Sequence, residues 1–510
     1  MRQMKKWFKG TRFAFAALAL SFIARLPTVF AGFYNPDETC YATIGQRMIE
    51  GKAFYIDIID HKFPLMYHLY AFFAFLGGHA SIQVAHMAMI FVVAATSLAV
   101  YQIAKRISAD EYLPAVAALL YVISANCGKP NDVLAANAEL FLNFFAAFFV
   151  LFVTMTLNAS SGKRALYLAV SGLFIGLAAM IKVHAIFPMA AVIIYLILFS
   201  KLSMFERLKS SLIIMGASLV PAILFGVYYY GKGALSDAIY WSLTFNSTYI
   251  GGHESGTDLF IKAAKQSLYM FVMEQSALWL PLFAALVLFI KKVPTELKFE
   301  RLSLILLWLF FSLIAIVPGW YFTGHYFLLP LPALSLMAAV AVRYIISVRY
   351  INRGIRAAWF VLLLAPFIVT WIWGACYEKV NRSAESTENA QLITYLKENT
   401  LPDEKIEVWG KFNGIPFLAG RENGTRFLNK KLLSGSFDRG ELVEVPEKNW
   451  EMFFDDMKKN EPAWLVDHSG VDMKNAPLDK FPRLAGYISS HYFKFAEIDG
   501  NIVYRKIEKR

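Results

Sequence analysis

Asn35 to Leu65 reads NPDETCYATIGQRMIEGKAFYIDIIDHKFPL, a polar stretch set between two strongly apolar runs. Asp37, Glu38, Arg47, Asp57, Asp60, His61 and Lys62 all fall inside it, in a chain that is otherwise mostly apolar. Ionisable groups gathered beside membrane-length apolar runs mark a functional region. The stretch therefore predicts a polytopic α-helical membrane protein whose chemistry lies in its first loop.

Composition agrees. Of 510 residues, 57% are hydrophobic and 17% charged, where soluble domains carry about a quarter charged. Apolar runs near the length of a bilayer span recur from Thr11 to Cys376 and then stop. Eleven spans are predicted, at about 12–31, 81–104, 112–126, 139–157, 166–181, 184–200, 211–230, 276–291, 302–318, 327–346 and 357–376. Arg25 and Pro27 suit a signal peptide poorly, so the first run is expected to stay as a helix.

Basic residues give the orientation. Lys5, Lys6, Lys9 and Arg12, then Lys105 and Arg106, Lys163 and Arg164, Lys201 and Arg207, and Arg343 to Arg356 all fall on one side. The positive-inside rule puts that side, with the N-terminus, in the cytoplasm. An odd number of spans then places residues 377–510 outside, on the same face as loops 32–80 and 231–275. The expected division is a transmembrane domain, 1–376, and a soluble extracytoplasmic α/β domain, 377–510. The net charge of +12 follows from topology, and no nucleic-acid partner is expected. Cys40, Cys127 and Cys376 form no disulfide framework; Cys40 and Cys127 are either one bond or two packed thiols.

Inside the first loop, Asn35-Pro36-Asp37-Glu38 reads as a helix start. Asn35 suits the N-cap, Pro36 the first helical position and Glu38 the carboxylate of a capping box. Tyr41, Ile44, Met48 and Ile49 form one apolar face, which suits a helix lying in the membrane interface. Pro64 to Leu76 is too short to span, and Gly77-Gly78 ends it. In the tail, Thr387–Asn399 reads as an amphipathic helix, and Lys405–Gly410 and Pro462–Asp467 read as strands. Asp499-Gly500 between two further strands is a hairpin signal.

The capping box explains Glu38 without chemistry, but not Asp37, a carboxylate placed to act as general base. Lys62, on a turn fixed by Pro64, suits a phosphate, or a solvated interface position. His61 beside it is a hydrogen-bonding residue. Asn137 and Glu139, Lys182, and His325-Tyr326 lie at span ends on the same face. Arg47 shares the first loop with Asp37. In loop 231–275, His253, Glu254 and Asp258 are candidates for choosing an acceptor.

Pro36-Asp37-Glu38, His61-Lys62-Phe63-Pro64-Leu65, Gly176 to Lys182 and Gly324-His325-Tyr326 to Pro332 occur in that order. With them the chain resembles the GT-C glycosyltransferases. It is most similar to the bacterial branch related to protein O-mannosyltransferases and aminoarabinose lipid A transferases. The resemblance implies a GT-C-like fold and inverting transfer of a hexose or pentose from a polyprenyl-phosphate donor to an acceptor hydroxyl outside the cytoplasm. The acceptor would be a glycan, lipid or protein, and the setting the inner membrane of a cell envelope. It implies Asp37, with Glu38, in catalysis, and Lys62, Lys182 and His325 around the donor phosphate. His61, Tyr326, Glu139, Asn137 and Arg47 would line the substrates. No cofactor is required by this chemistry. A divalent metal is left open, because related transferases often have Glu where this chain has His61. A transporter or flippase of a lipid-linked sugar is the rival reading, and the chain's lack of paired halves speaks against it.

Overall fold

The computed structural model describes residues 2–246, 257–289, 299–347, 353–381, 386–436 and 442–508. Ten helices lead up to the second loop: α1 (Arg2–Val29), α2 (Pro36–Ile49), α3 (Leu65–Gly77), α4 (Ser81–Ile107), α5 (Leu113–Ser124), α6 (Pro130–Val133), α7 (Ala138–Met155), α8 (Ser161–Ala179), α9 (Ile186–Leu198) and α10 (Met204–Gly231). Helices Ser276–Phe289, Phe299–Ile314, Leu331–Ser347 and Arg353–Asn381 complete the bundle. Each of the eleven predicted runs falls on one of these helices.

Among the described residues, five helices are long and apolar enough to cross a membrane. A sixth candidate is the pair Phe260–Glu274 and Ser276–Leu286, bent by 92°. Four shorter apolar helices lie among them, including Leu113–Ser124 and Val183–Leu198. The protein is a multi-pass membrane protein. Its central helix is α7, 67% buried over its apolar window, whereas Arg353–Cys376 is only 11% buried and turns its apolar surface outward. Apolar side chains on such an outer helix meet lipid, so outward hydrophobicity carries no penalty there.

Close helix crossings use small residues. Gly172 and Gly176, four apart on α8, face α10; a Cβ on Gly176 would stand 2.3 Å from the Ser218 carbonyl oxygen. That spacing lets two backbones approach and gain dispersion contacts where no hydrophobic drive exists. Gly45 does the same for α2 against α3, where a Cβ would meet the Tyr70 backbone at 2.5 Å.

This crossing corrects the expectation for α2. Most of its apolar face turns away from the bilayer: Tyr41 and Ile44 are buried at 3% and 0% exposure, packed with Tyr67 and Tyr70 in one core, while Ile49 at the helix end stays 42% exposed. The outward apolar surface belongs instead to α3, through Phe72, Phe75 and Leu76. The three cysteines are free, with Cys40 and Cys127 buried.

The tail contains a five-stranded sheet in the order β2-β1-β3-β5-β4, with β1 Lys405–Trp409, β2 Glu422–Asn423, β3 Trp464–Asp467, β4 Tyr492–Ile498 and β5 Asn501–Lys506. β1 runs parallel to β2 and β3, and β5 antiparallel to β3 and β4. Asp499 and Gly500 both take positive φ, 51° and 78°, as a two-residue hairpin turn requires. A core of Leu392, Leu396, Ile406, Trp464 and Val503 closes one face.

The tail sits directly on the first loop. The Ile59 N–H donates to the Arg426 carbonyl at 2.9 Å, and the Phe33 and Phe412 rings stack with centroids 5.7 Å apart. The sheet domain thereby holds the loop from above while α3 and α4 hold it from below.

Candidate active site

Two neighbouring carboxylates in the first turn of α2 are held in different ways. The helix starts as its sequence requires: the Asp37 N–H donates to the Asn35 side-chain oxygen at 3.0 Å, and the Asn35 N–H to Glu38 Oε2 at 3.2 Å. Glu38 is then filled on every side. Its Oε2 also accepts from the Tyr34 N–H at 2.7 Å. Its Oε1 accepts from the Ala136 N–H at 2.8 Å and meets His86 Nε2 at 2.7 Å. The other ring nitrogen of His86 lies 2.7 Å from the Thr28 carbonyl.

Burial alone would raise the Glu38 carboxyl, but His86 and the N–H groups of Ala136 and Tyr34 more than offset it and hold it below the usual range. Both side chains of the pair have 0% exposure. Arg25, also fully buried, braces the same region by donating to the Leu134 carbonyl at 2.5 Å and to Asn126 Oδ1 at 3.1 Å.

Asp37 points the other way. Its Oδ2 takes the Lys62 ammonium at 2.7 Å, and Lys62 also donates to the Tyr41 hydroxyl at 3.0 Å. The side chains keep 46% and 31% exposure. Burial opposes both charges, yet Lys62 pulls the Asp37 carboxyl below its ordinary value and Asp37 pushes the Lys62 ammonium well above its own. Partial exposure screens this pair, so its contribution to stability is small. The expected carboxylate and ammonium do share one site, but they touch each other instead of facing across a gap.

The turn carrying Lys62 is fixed from several directions. Asp60 Oδ1 accepts from the His61 N–H at 2.7 Å and meets His61 Nδ1 at 2.8 Å, and its Oδ2 accepts from the Tyr67 hydroxyl at 2.5 Å. His61 and Lys62, with Tyr67, hold the buried Asp60 far below the ordinary carboxylate range despite the opposing effect of burial. The Tyr55 hydroxyl donates to the Lys62 carbonyl at 2.8 Å. Leu65 donates its N–H to the Met180 carbonyl at 2.9 Å, which docks the turn on the end of α8, two residues before Lys182.

There a second ion pair lies nearby. Lys182 donates to Glu139 at 2.5 Å and stands 3.8 Å from the centre of the Tyr326 ring. Glu139 is 2% exposed on its side chain and Lys182 22%. The charge of Lys62 reaches Lys182, and the His325 ring lies 5.1 Å from that of Tyr326. Asp37, Lys62, Glu139, Lys182, His325 and Tyr326 therefore form one electrostatic neighbourhood. His325 lies at its edge, with Nδ1 3.3 Å from Asp132 Oδ1.

Other candidates stand further off. Asn137 gives its amide to the Asp132 carbonyl at 2.8 Å and so supports the loop beneath His325. His61 is 7% exposed, with its ring on Asp60 and its carbonyl accepting from Asn246 at 2.7 Å. Arg47 faces the tail, bonded to Glu50 at 2.5 Å and Glu422 at 2.8 Å. Two cavities of about 100 and 200 Å³ flank it between α2 and the tail, and neither is lined by Asp37 or Lys62. Of the second loop, His253 and Glu254 lie outside the described residues, as does the side chain of Asp258.

Sequence reasoning gave Tyr41 and Asp60 no role of their own and missed His86 and Glu274. An ionisable residue inside an apolar helix is a signal, and it would have flagged His86. Glu274 sits at the 92° break and leaves Oε2 without a hydrogen-bond partner among the described residues. No group of three or more His, Cys, Asp or Glu side chains converges among the described residues.

No protein-family model and no curated protein sequence matches the chain. Its fold, however, is shared with solved structures. ArnT from Cupriavidus metallidurans bound to undecaprenyl phosphate superposes with a TM-score of 0.64 at 15% identity, over 98% of each chain. The apo state of that protein gives 0.63 at 15% identity, over 99% of this chain and 98% of its own. The oligosaccharyltransferase AglB from Archaeoglobus fulgidus, in complex with an inhibitory peptide and a dolichol-phosphate, gives 0.56 at 12% identity, over 99% of this chain and 75% of its own. The chain has the GT-C fold.

Proposed function

We propose that the chain is a membrane glycosyltransferase that moves a sugar from a polyprenyl-phosphate donor to an acceptor hydroxyl, with inversion at the anomeric carbon. The observation that carries this reading is the Asp37–Lys62 pair, 2.7 Å apart and partly open, on the same face as Lys182. The reading is supported by fold neighbours whose solved structures hold undecaprenyl phosphate and a dolichol-phosphate. The reaction belongs on the extracytoplasmic face of the inner membrane, where the charge pattern puts the first loop.

In this reading the resting pair is a latch. Each charge lowers the reactivity of the other, since a carboxylate held by an ammonium is a weak base. A donor phosphodiester competes for Lys62, whose long side chain can swing to it. The phosphate's negative charge then raises the proton affinity of the freed Asp37, and a poised general base results. Asp37 takes the acceptor O–H proton, the acceptor oxygen attacks the anomeric carbon, and the sugar–phosphate C–O bond breaks on the opposite side. The electron pair leaves on polyprenyl phosphate, whose charge Lys62 and Lys182 stabilise. Glu38, fully enclosed, positions Asp37 and takes no proton from substrate.

Purified protein given a polyprenyl-phosphate sugar and a panel of hydroxyl acceptors tests the reading. The expected products are free polyprenyl phosphate and a glycoside of inverted anomeric configuration. Intact donor crossing liposomes, with no release of lipid phosphate, would instead establish the flippase.

A further inference from the structure

His184 lies in the short turn Val183–Ala185 between α8 and α9, two residues beyond Lys182. It is 6% exposed, and neither ring nitrogen has a hydrogen-bond partner among the described residues. His68, by contrast, keeps one nitrogen on the Pro64 carbonyl at 2.9 Å. A buried imidazole with both nitrogens unmade is costly, and such groups in native proteins usually meet a ligand or water. The surroundings say what that ligand is. The His184 ring lies 5.6 Å from the Tyr326 ring, the same ring that Lys182 covers at 3.8 Å. Val183 and Ile186, on either side of the turn, are about half exposed (49% and 52%), an apolar surface suited to an isoprenoid chain. An isoprenoid chain lying on that surface would bring its phosphate end within reach of the imidazole and of the ammonium that share the Tyr326 ring.

We infer that His184 is a binding residue for the lipid's phosphate, one ring N–H donating to a phosphate oxygen while Lys182 supplies the charge. The inference rests on the transferase reading and adds a residue to its donor site. Undecaprenyl phosphate without a sugar is the probe, with the full-length protein in detergent micelles. His184→Phe is expected to bind it about tenfold or more weakly, the loss of one hydrogen bond to a charged group. His184→Gln, which keeps an N–H donor, should recover most of the affinity. Without lipid, His184→Phe should unfold at or above the wild-type temperature, because it removes unpartnered polar atoms; the lipid-induced rise should shrink.

Equal affinity of wild type and His184→Phe for the sugar-free lipid overturns the inference. So does an effect confined to the sugar-bearing donor, which would assign the residue to the sugar. If the phenylalanine does not fold, His184→Leu carries the same comparison. Wild-type protein that binds no undecaprenyl phosphate fails the transferase reading itself, whereas binding that ignores His184 fails only this step.

Discussion

Asp37 and Glu38 are consecutive residues in one helical turn, and each meets a nitrogen of a basic side chain at 2.7 Å. Their partners decide everything else. Glu38 and His86 have no exposure at all, while Asp37 and Lys62 keep 46% and 31%. The enclosed carboxylate accepts from three backbone N–H groups and an imidazole, so it cannot reach a substrate without dismantling the fold. The open one is held by one flexible ammonium that a phosphate can draw away, and by a long 3.4 Å hydrogen bond from the Tyr41 hydroxyl. Equal contact length thus hides opposite surroundings, and burial separates the proposed framework residue from the proposed base.

The comparison breaks most visibly at Glu38. Glu38→Ala leaves His86 and three N–H donors buried without their acceptor, and thermal unfolding should register a loss of about 3–5 kcal/mol, typical of breaking a buried pair. A variant of wild-type stability that loses transfer would move Glu38 from framework to chemistry. Lys62→Ala should weaken donor binding about tenfold or more, yet change stability by less than about 1 kcal/mol because its pair is partly exposed. Arg47→Ala removes a tie to Glu422 and should cost less than about 1 kcal/mol in an unfolding assay, with transfer little changed. Abolished transfer would return Arg47 to the substrate.

The smallest effect is expected from pH. Asp37 is lowered and Lys62 raised, so the pair stays charged between the two ordinary ranges. Its modest stabilisation is lost only as pH falls through the depressed carboxyl value or rises through the elevated amine value. The contribution of this pair to the stability of the donor-free protein should therefore be flat over about pH 5 to 9. A step near neutrality in the difference in unfolding temperature between wild type and Lys62→Ala would contradict this.

Much of the fold was legible in the sequence. Apolar run length located eleven of the helices, and Asp499-Gly500 located the hairpin, because both signals are local. The capping box of Asn35 and Glu38 was legible for the same reason. What could not be read were partners far along the chain. His86 stands 48 residues from Glu38, and Glu422 lies 375 residues from Arg47. Those contacts exist only once helices cross, and Gly45 shows how a crossing turned the apolar face of α2 from the bilayer to α3. Asp37 and Lys62, 25 residues apart, were close enough for one loop to suggest their meeting, but not their direct contact.

The comparison of the two carboxylates comes to its sharpest test in Asp37→Asn, assayed side by side for donor binding and for sugar transfer. A general base contributes about 10²–10⁴-fold. The expected result is a transfer rate lower by that factor, with donor still bound and the unfolding temperature nearly unchanged. Transfer at the wild-type rate by a folded, donor-binding Asp37→Asn protein would contradict the assignment of this carboxylate as the base.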